Sequence, residues 1–383
     1  MRKLPKALIP IFGITFVGIL GFTILIPLLP YLAKRYGASD AVVGTLLTTT
    51  AVCATLSSPL WGLLSDRFGR KRALLGSQIC SFAGYLLLAL SGNLTLIFVS
   101  RAIEGFGGGN LGIAQSYVAD VTSEEQRPLA FAYGAAAFGG GFIVGPILGG
   151  GLAHFGLPVC FFFAAGLQAL NVVLTLTLLP ESHQKQTATN VGQLTTMLKD
   201  PMLGSLMLRT FLYIFAYTYL FTTLSLYLSH LDNAGPEQSS IVLAFAGLVG
   251  ALVTIFGVDR LVSRFGLERL IAAAFAAGAL AYAALGAVRN IIELVPVLFA
   301  WAASGAVLRP TLNALLARFA PEEERGLVLG FSDALGNFAL IFAPAVGGAI
   351  VGWNYRFSGV VPALALAAGF AIGARGTQPQ PRA

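Results

Sequence analysis

Residues 61–75 read WGLLSDRFGRKRALL and place a dense group of charges between two long apolar stretches of the chain. The five charged residues are Asp66, Arg67, Arg70, Lys71 and Arg72. No charged residue occurs from 41 to 65 or from 73 to 100. A helix that crosses a bilayer needs about 20 mostly apolar residues, so both flanking stretches are long enough. The quoted stretch therefore predicts two membrane spans joined by a short charged hairpin at one membrane surface.

The composition of the whole chain agrees with a membrane protein. Of its 383 residues, 56% are hydrophobic and 11% are charged, whereas a soluble domain has about 25% charged residues. The formal net charge of +7 is spread over short loops without interleaved aromatic residues, which excludes a nucleic-acid-binding surface. We expect a multi-pass protein of the cell membrane, embedded in the lipid bilayer.

Twelve stretches are long and apolar enough to cross the bilayer. They must be helices, because backbone groups in lipid have to be paired within their own segment. The predicted spans are 7–32, 42–64, 73–91, 94–118, 129–153, 158–179, 204–229, 239–258, 268–287, 291–317, 327–351 and 357–374. With the N-terminus inside, seventeen Lys and Arg residues fall on the inner side and four on the outer side. Since basic residues concentrate on the cytoplasmic side, we expect both termini to be cytoplasmic.

The second half of the chain repeats features of the first. DRFGRKRAL (66–74) has an echo in SRFGLERLI (263–271), SEEQR (123–127) in PEEER (321–325), and GPILGG (145–150) in APAVGG (343–348). The offsets are 197, 198 and 198 residues. We therefore predict two six-helix halves, 1–180 and 204–383, joined by a cytoplasmic central loop at 181–203. An even number of spans per half makes the repeats parallel, and transporters built in this way hold their substrate between the halves.

Three motifs make the chain resemble the major facilitator superfamily over essentially its whole length. The hairpin matches that family's loop after span 2, RAIEGFGGG (101–109) is similar to its span-4 motif, and GGGFIVGPILGGG (139–151) is similar to its span-5 motif. The matching hairpin residues are Gly62, Asp66, Arg67, Gly69, Arg70 and Lys71. The span-5 motif is associated with antiporters such as drug:proton antiporters and tetracycline-efflux proteins. The resemblance implies transport by alternating access.

The resemblance also implies a conformational latch on the inner side. It places Asp66 against the start of span 11, near Leu327, and pairs an arginine of the hairpin with Asp120 at the inner end of span 4. The residues of this predicted latch are Asp66, Arg67, Gly69, Arg70, Lys71 and Asp120. The alternative is that the hairpin only anchors the topology. The second copy of the repeat carries Ser263 where the first has Asp66, so the acid is not required merely to build such a hairpin.

Span 5 carries a face of small residues. Gly141, Gly145 and Gly149 lie four residues apart, which lets another helix approach closely, and Pro146 tends to kink the helix. Gating between the halves and simple packing explain this pattern equally well.

Ionisable residues inside the spans are candidates for proton coupling, because charges in lipid are costly. Arg101 and Glu104 share one face of span 4, and we predict that Glu104 carries the proton. The alternative is a permanent structural ion pair. Asp333 in span 11 is the second candidate acid, and Arg309 either pairs with it or extends to water at the membrane surface. Tetracycline-type exporters carry an acid in span 1, but the aligned residue here is Gly18, so coupling has to use other carboxylates.

The substrate cavity is predicted from aromatic and polar residues within the spans. Aromatic side chains suit a flat or amphipathic organic molecule, although those of span 7 also suit a lipid-facing surface. The predicted lining residues are Asn110, Phe138, Phe142, Tyr213, Tyr217, Trp301, Arg309 and Asn337.

The sequence thus predicts a proton-coupled exporter of small organic or drug-like compounds that functions as a monomer. No P-loop occurs in the sequence, so we expect no nucleotide or other cofactor, no metal, and the proton gradient as the energy source. LPESH (179–183) resembles a loop of sugar porters and supports the alternative of a sugar or metabolite uptake symporter. A membrane sensor or intramembrane enzyme is a remote alternative. The three histidines, His154, His183 and His230, lie far apart at span ends or in loops, which argues against a catalytic or metal cluster.

Overall fold

A computed structural model describes residue 5 and residues 8–182, 200–321 and 325–375, without the side chains at positions 128, 325–327, 329, 330, 333 and 375. Over these residues the protein is helical and contains no strand. The helices are α1 Leu8–Leu25, α2 Leu29–Arg35, α3 Asp40–Phe68, α4 Arg70–Ala89, α5 Leu94–Phe106, α6 Asn110–Val121, α7 Arg127–Ala153, α8 Leu157–Leu178, α9 Pro201–Leu231, α10 Pro236–Leu252, α11 Val258–Phe265, α12 Leu267–Ala284, α13 Ile291–Phe319, α14 Arg325–Asn354 and α15 Val360–Arg375. A π-helical turn, Val253–Gly257, joins α10 to α11.

Ten helical stretches in the described residues are long and apolar enough to cross a membrane. The two remaining predicted spans take other forms. Residues 94–118, predicted as one helix, form α5 and α6 with a break at the three glycines 107–109. The last predicted span, 357–374, is represented by the shorter apolar helix Val360–Ala374. The all-helical membrane fold class is confirmed, with one broken span and one short span.

The first and the eighth predicted spans differ from the structure. One is divided at prolines, and the other continues beyond its predicted end. The first span, predicted as 7–32, is divided into α1 and α2, since Pro27 and Pro30 cannot donate a backbone hydrogen bond to the helix. The eighth span, predicted to end at 258, continues through the π-helical turn into α11.

The chain divides into two compact units. Unit 1 consists of Met1–Thr187 together with Ala234–Ala244, and unit 2 of Ala188–Asn233 together with Phe245–Ala383. The predicted halves, 1–180 and 204–383, do not anticipate that the segment 234–244 belongs with unit 1. The central loop 181–203 stays a prediction over 183–199, which lie outside the described residues.

Side-chain contacts hold the segment 234–244 within unit 1. The Tyr31 hydroxyl donates to the Ala234 carbonyl oxygen at 2.7 Å and lies 2.6 Å from Ser239 Oγ. His154 Nε2 lies 2.9 Å from Glu237 Oε1. The segment is therefore attached to unit 1 both at α2 and at the end of α7.

The internal repeat is visible in the packing of each unit. In unit 1, α1 packs against α7 and α8, and α4 packs against α5 and α8. In unit 2, α9 packs against α14 and α15, and α12 packs against α13 and α15. Gly69 joins α3 to α4, and Gly266 joins α11 to α12. The two glycines have similar backbone conformations, with φ 99° and ψ 156° at Gly69 and φ 77° and ψ 157° at Gly266. An arginine lies over the adjacent phenylalanine ring in both copies, Arg67 over Phe68 at 5.3 Å and Arg264 over Phe265 at 5.5 Å.

Candidate functional site

Arg70 is the centre of the charged hairpin. Its Nε donates to Asp120 Oδ2 at 2.8 Å, and its Nη1 donates to Asp66 Oδ1 at 2.5 Å and to Ser65 Oγ at 2.9 Å. The Arg70 and Asp120 side chains are only 3% and 2% exposed. A planar guanidinium group holds several N–H donors in a fixed fork, whereas a lysine ammonium group has no such fixed geometry. The hairpin arginine that pairs with Asp120 is therefore Arg70, and the pair ties the start of α4 to the end of α6.

Glu181, which follows α8, contacts the charged hairpin in a way that the sequence analysis did not predict. Its Oε1 accepts a hydrogen bond from the Lys71 backbone N–H at 2.9 Å, so the carboxylate caps the N-terminal turn of α4, where a negative charge is favourable. Lys71 Nζ donates to the Leu176 carbonyl oxygen at 2.9 Å. The LPESH stretch was interpreted only as a loop resembling sugar porters. The signal in the sequence was an acid directly after a predicted span. Only the tertiary structure shows that this acid contacts the start of α4.

The other latch predictions have different outcomes. Arg67 is exposed and contacts Phe68, and Gly69 forms the junction between α3 and α4. The predicted contact of Asp66 with the start of span 11 falls on Leu327, whose side chain lies outside the described residues. The latch function therefore stays a prediction.

The buried ion pair of span 4 lies on α5. Arg101 Nη1 is 3.6 Å from Glu104 Oε2, and the two residues are 3% and 8% exposed. The guanidinium group also lies over the Tyr85 ring, 5.5 Å from its centroid. Tyr85 thus lies beside the Arg101–Glu104 pair. The pair is held closely against α4, because a methyl group at Gly84 would come within 2.7 Å of Glu104 Cβ.

The break between α5 and α6 is stabilised by side chains from two other helices. Trp61 Nε1 donates to the Phe106 carbonyl oxygen at 2.6 Å, and Ser77 Oγ donates to the Gly107 carbonyl oxygen at 2.6 Å. Gly109 leaves room for the indole, since a methyl group there would lie 2.6 Å from Trp61 Cβ. Backbone groups freed by the break thus keep hydrogen bonds, as they must in a membrane.

The small-residue face of span 5 lies against α1. A methyl group at Gly141 would meet Ile19 and one at Gly149 would meet Ile24, while Gly145 faces Thr23. Thr23 Oγ1 donates to the Gly141 carbonyl oxygen at 2.9 Å. Pro146 is buried within α7, which continues through it. The face therefore packs inside unit 1, and its gating role stays a prediction.

The predicted cavity residues of unit 1 lie in two places. Asn110 is engaged by serines of α4, with Ser77 Oγ 2.7 Å from its Oδ1 and its Nδ2 3.3 Å from Ser81 Oγ. Phe138 and Phe142 stack on α7 with ring centroids 5.0 Å apart and are half-buried.

In unit 2 the structure brings together the predicted aromatic residues of spans 7 and 10. Tyr217 stacks on Trp301 at 4.7 Å, and the Tyr213 hydroxyl donates to the Gly305 carbonyl oxygen at 3.2 Å. Tyr213 and Trp301 are buried between α9 and α13 rather than on a lipid-facing surface. Arg309 and Asn337 are exposed on unit 2.

The possible pairing of Arg309 with Asp333 stays untested. Asp333 belongs to α14, but its side chain lies outside the described residues.

Duplicated helical units with charged residues buried at membrane depth define the class of membrane transporters. Comparison with known proteins gives the same class. A model of the Major Facilitator Superfamily matches residues 11–302 and again residues 233–383. Multidrug resistance protein 2 of Bacillus subtilis (strain 168) is 28% identical over 353 residues, which are 89% of this chain and 88% of that protein. Tetracycline resistance protein, class C, of Escherichia coli is 29% identical over 364 residues, which are 90% of this chain and 89% of that protein.

Among solved structures, that of the human organic anion transporter MFSD10 matches with a TM-score of 0.70 and 21% identity, covering 96% of this chain and 100% of that chain. The chain belongs to the Major Facilitator Superfamily. It is accordingly a multi-pass membrane transporter and not an enzyme.

Proposed function

We propose that this transporter exports small organic, drug-like compounds in exchange for protons by alternating access of its two halves. It acts as a monomer in the cell membrane, with both termini in the cytoplasm, and draws its energy from the proton gradient without a cofactor. The names of the relatives support the substrate class, since they are multidrug and tetracycline resistance proteins at 28% and 29% identity.

The observation that carries the proposal is the geometry of Glu104. Its carboxyl group is buried in a membrane-spanning unit, 3.6 Å from Arg101, and its Oε2 has no hydrogen-bond partner among the described residues. A permanent ion pair would be expected to show a close contact with direct hydrogen bonds. The longer separation supports a carboxyl group whose protonation changes as the distance to Arg101 changes.

The test is transport by the purified protein in liposomes. An imposed pH gradient should drive accumulation of a fluorescent cationic dye by the wild type, with proton movement in the opposite direction. Glu104→Gln cannot release a proton, so it should lose uphill transport and retain dye-for-dye exchange. Glu268→Gln, on the exposed first turn of α12, is the matched control and should transport as the wild type does.

Three results would contradict the proposal. Uphill export by Glu104→Gln with normal pH dependence would exclude the carrier role. Dye transport by the wild type without proton movement would exclude antiport. Counterflow of sugars without dye transport would favour the uptake symporter.

A further inference from the structure

Unit 1 contains a line of buried, uncharged polar side chains that the proposed function does not use. On α8, Gln168, Asn171 and Thr175 follow at spacings of three and four residues and so share one face. On α4, Gln78 and Tyr85 lie seven residues apart, which again places them on one face. All five are at most 3% exposed. We refer to these five residues, at the junction of α1, α4 and α8, as the polar seam.

Contacts with α1 define one side of the seam. A methyl group at Gly18 would lie 3.2 Å from Asn171 Nδ2, and one at Gly21 would lie 3.4 Å from Gln168 Nε2 and 3.6 Å from the Tyr85 ring. The two glycines therefore leave the space that the amide groups occupy. Gly18 is also the residue that the sequence analysis aligned with the span-1 acid of tetracycline-type exporters.

Glu104 lies at one end of the seam and the hairpin at the other. Tyr85 lies beside Gln168 against Gly21, and its ring also contacts Arg101, the partner of Glu104. Lys71 contacts the Leu176 carbonyl oxygen, so α4 and α8 run in opposite directions. Gln78 lies seven residues from both Lys71 and Tyr85, which places it level with the part of α8 between Gln168 and Leu176.

Many polar atoms of the seam lack a partner. Within the part of the chain that the structure describes, no hydrogen bond reaches five atoms of the seam, Gln78 Nε2 and Oε1, Gln168 Oε1, Asn171 Oδ1 and Thr175 Oγ1. The same holds at the end of the seam for Arg101 Nε and Nη2 and for Glu104 Oε2. Thr175 is unusual among helical threonines. Thr177, two residues further along α8, donates to the Val173 carbonyl oxygen at 2.7 Å, as is common for threonine in helices. Buried polar atoms without protein partners are typically hydrogen-bonded to ordered water.

Unit 2 provides an internal comparison, because its helices repeat the packing of unit 1. The repeat offset of 197 residues relates Gln78 to Phe275 and Tyr85 to Tyr282. The Tyr282 hydroxyl donates to the Ala216 carbonyl oxygen and accepts from Trp301 Nε1. The tyrosine of unit 2 is thus satisfied by protein atoms.

Apolar residues replace the amide side chains at the equivalent junction in unit 2. Gly369 and Leu366 of α15 stand where α8 carries amides, and a methyl group at Gly369 would lie 2.5 Å from Phe275. The polar group that reaches this junction is Arg209, which lies over Phe275 at 5.3 Å. Because Phe275, Leu366 and Gly369 take the positions of Gln78, Gln168 and Asn171 in unit 2, packing alone does not require amide side chains at those positions in unit 1.

We infer that the polar seam binds a file of water molecules that conducts the proton between Glu104 and the hairpin end of unit 1. The inference rests on the proposed proton coupling through Glu104. From Gln168 to Thr175 the seam extends about 10 Å along α8, a length that three or four hydrogen-bonded waters bridge at about 2.8 Å each.

The transfer conserves atoms and charge. The Glu104 carboxylic acid gives its proton to the first water, each water passes one proton onward, and one proton leaves at the hairpin end. Glu104 remains as a carboxylate beside Arg101. Toward the hairpin end, Leu74, Tyr117 and Leu179 pack in one hydrophobic cluster, so we expect proton release to require these side chains to separate.

The water file is tested by radical footprinting. Brief X-ray irradiation of the wild-type protein generates hydroxyl radicals from bound water, and these oxidise neighbouring side chains. Tyr85 should be oxidised several times faster than Tyr282, although both are at most 2% exposed. Asn171→Leu should slow Tyr85 oxidation. Equal oxidation of the two tyrosines in the wild type would overturn the inference.

Proton conduction is tested with two isosteric variants on the same helix. Thr175→Val removes the seam hydroxyl group, and Thr177→Val removes an exposed one. In liposomes, Thr175→Val should reduce substrate-driven proton flux about tenfold, the rate effect of one hydrogen bond lost from the transfer path, and leave substrate exchange unchanged. Thr177→Val should behave as the wild type.

The two proposals fail in different ways. Wild-type proton flux in Thr175→Val would overturn the seam's role while leaving the coupling through Glu104 intact. Substrate exchange without proton flux in the wild type would refute the proposed function, and footprinting of Tyr85 would then still decide whether the seam holds water.

Discussion

Gly69 is the residue on which the charged hairpin depends most strictly. Its φ of 99° with ψ of 156° lies in a region that is essentially restricted to glycine. A methyl group at this position would also lie 2.6 Å from the Glu181 carboxyl carbon. Two independent constraints, one of backbone conformation and one of space, therefore act on the same residue.

Gly69→Ala should destabilise the protein by about 1–3 kcal/mol through backbone strain alone, with a further loss because Glu181 is displaced from the start of α4. Gly266→Ala is the matched control. Gly266 has a similar φ of 77°, but no atom lies within 4 Å of an added methyl group. Thermal unfolding of both variants in detergent measures the difference, and an equal decrease in melting temperature would argue against the Glu181 contact.

At the scale of single residues, ionisable groups within a span are easier to single out from the sequence than neutral polar groups. Arg101 and Glu104 were found because ionisable residues in a span are conspicuous. Gln168 and Asn171 were missed, although their spacing on one face of span 6 was a signal. A polar face can point to a neighbouring helix, a cavity or another molecule, and only the tertiary packing with Gly18 and Gly21 distinguishes these possibilities.

Among the helices, α5 and α6 show where hydropathy alone misleads. Residues 94–118 are apolar over a length that predicts one span. The three glycines at 107–109 were interpreted only as part of a motif. The break is stable because Trp61 and Ser77 supply hydrogen bonds to the freed carbonyl oxygens. Those donors come from α3 and α4, so the local sequence does not contain the information.

The contact between α1 and α7 gives a prediction at the same scale. Gly145→Ala would overlap Thr23, whose hydroxyl bonds to Gly141, and overpacking of this kind costs about 1–3 kcal/mol. Gly151→Ala, on the same helix with nothing within 4 Å of an added methyl group, should be neutral or slightly stabilising. Melting temperatures and transport rates of the two variants would be measured together.

The outcome also separates the two interpretations of span 5. Packing alone predicts that Gly145→Ala loses stability and transport in parallel. Loss of transport with an unchanged melting temperature would instead favour a gating role.

For the whole molecule, the sequence repeat has counterparts in the structure. The offsets of the three motifs reappear as equivalent junction glycines and equivalent helix packing in the two units. The assignment of 234–244 to unit 1 was not predictable, because it depends on contacts from Tyr31 and His154, which are distant in sequence.

Labelling tests the parallel relation of the halves. Cys53, Cys80 and Cys160 are free and would first be replaced by serine. A maleimide that does not cross membranes should then label Arg67→Cys and Arg264→Cys from the same side, the cytoplasmic one. Phe155→Cys, at the opposite end of α7 from the hairpin and 76% exposed, should react from the other side. Reaction of positions 67 and 264 on opposite sides would rule out the parallel repeat.

The helix α10 begins in unit 1 and continues into unit 2 from Phe245 onward. A methyl group at Gly150 would lie 2.9 Å from Ser240 Cβ, nearer than the 3.5–4.5 Å that separates the β-carbons of a disulfide, so the two helices would have to move slightly apart to accept one. Cysteines at these two positions would fix the start of α10 to α7 through a bond that a reducing agent releases.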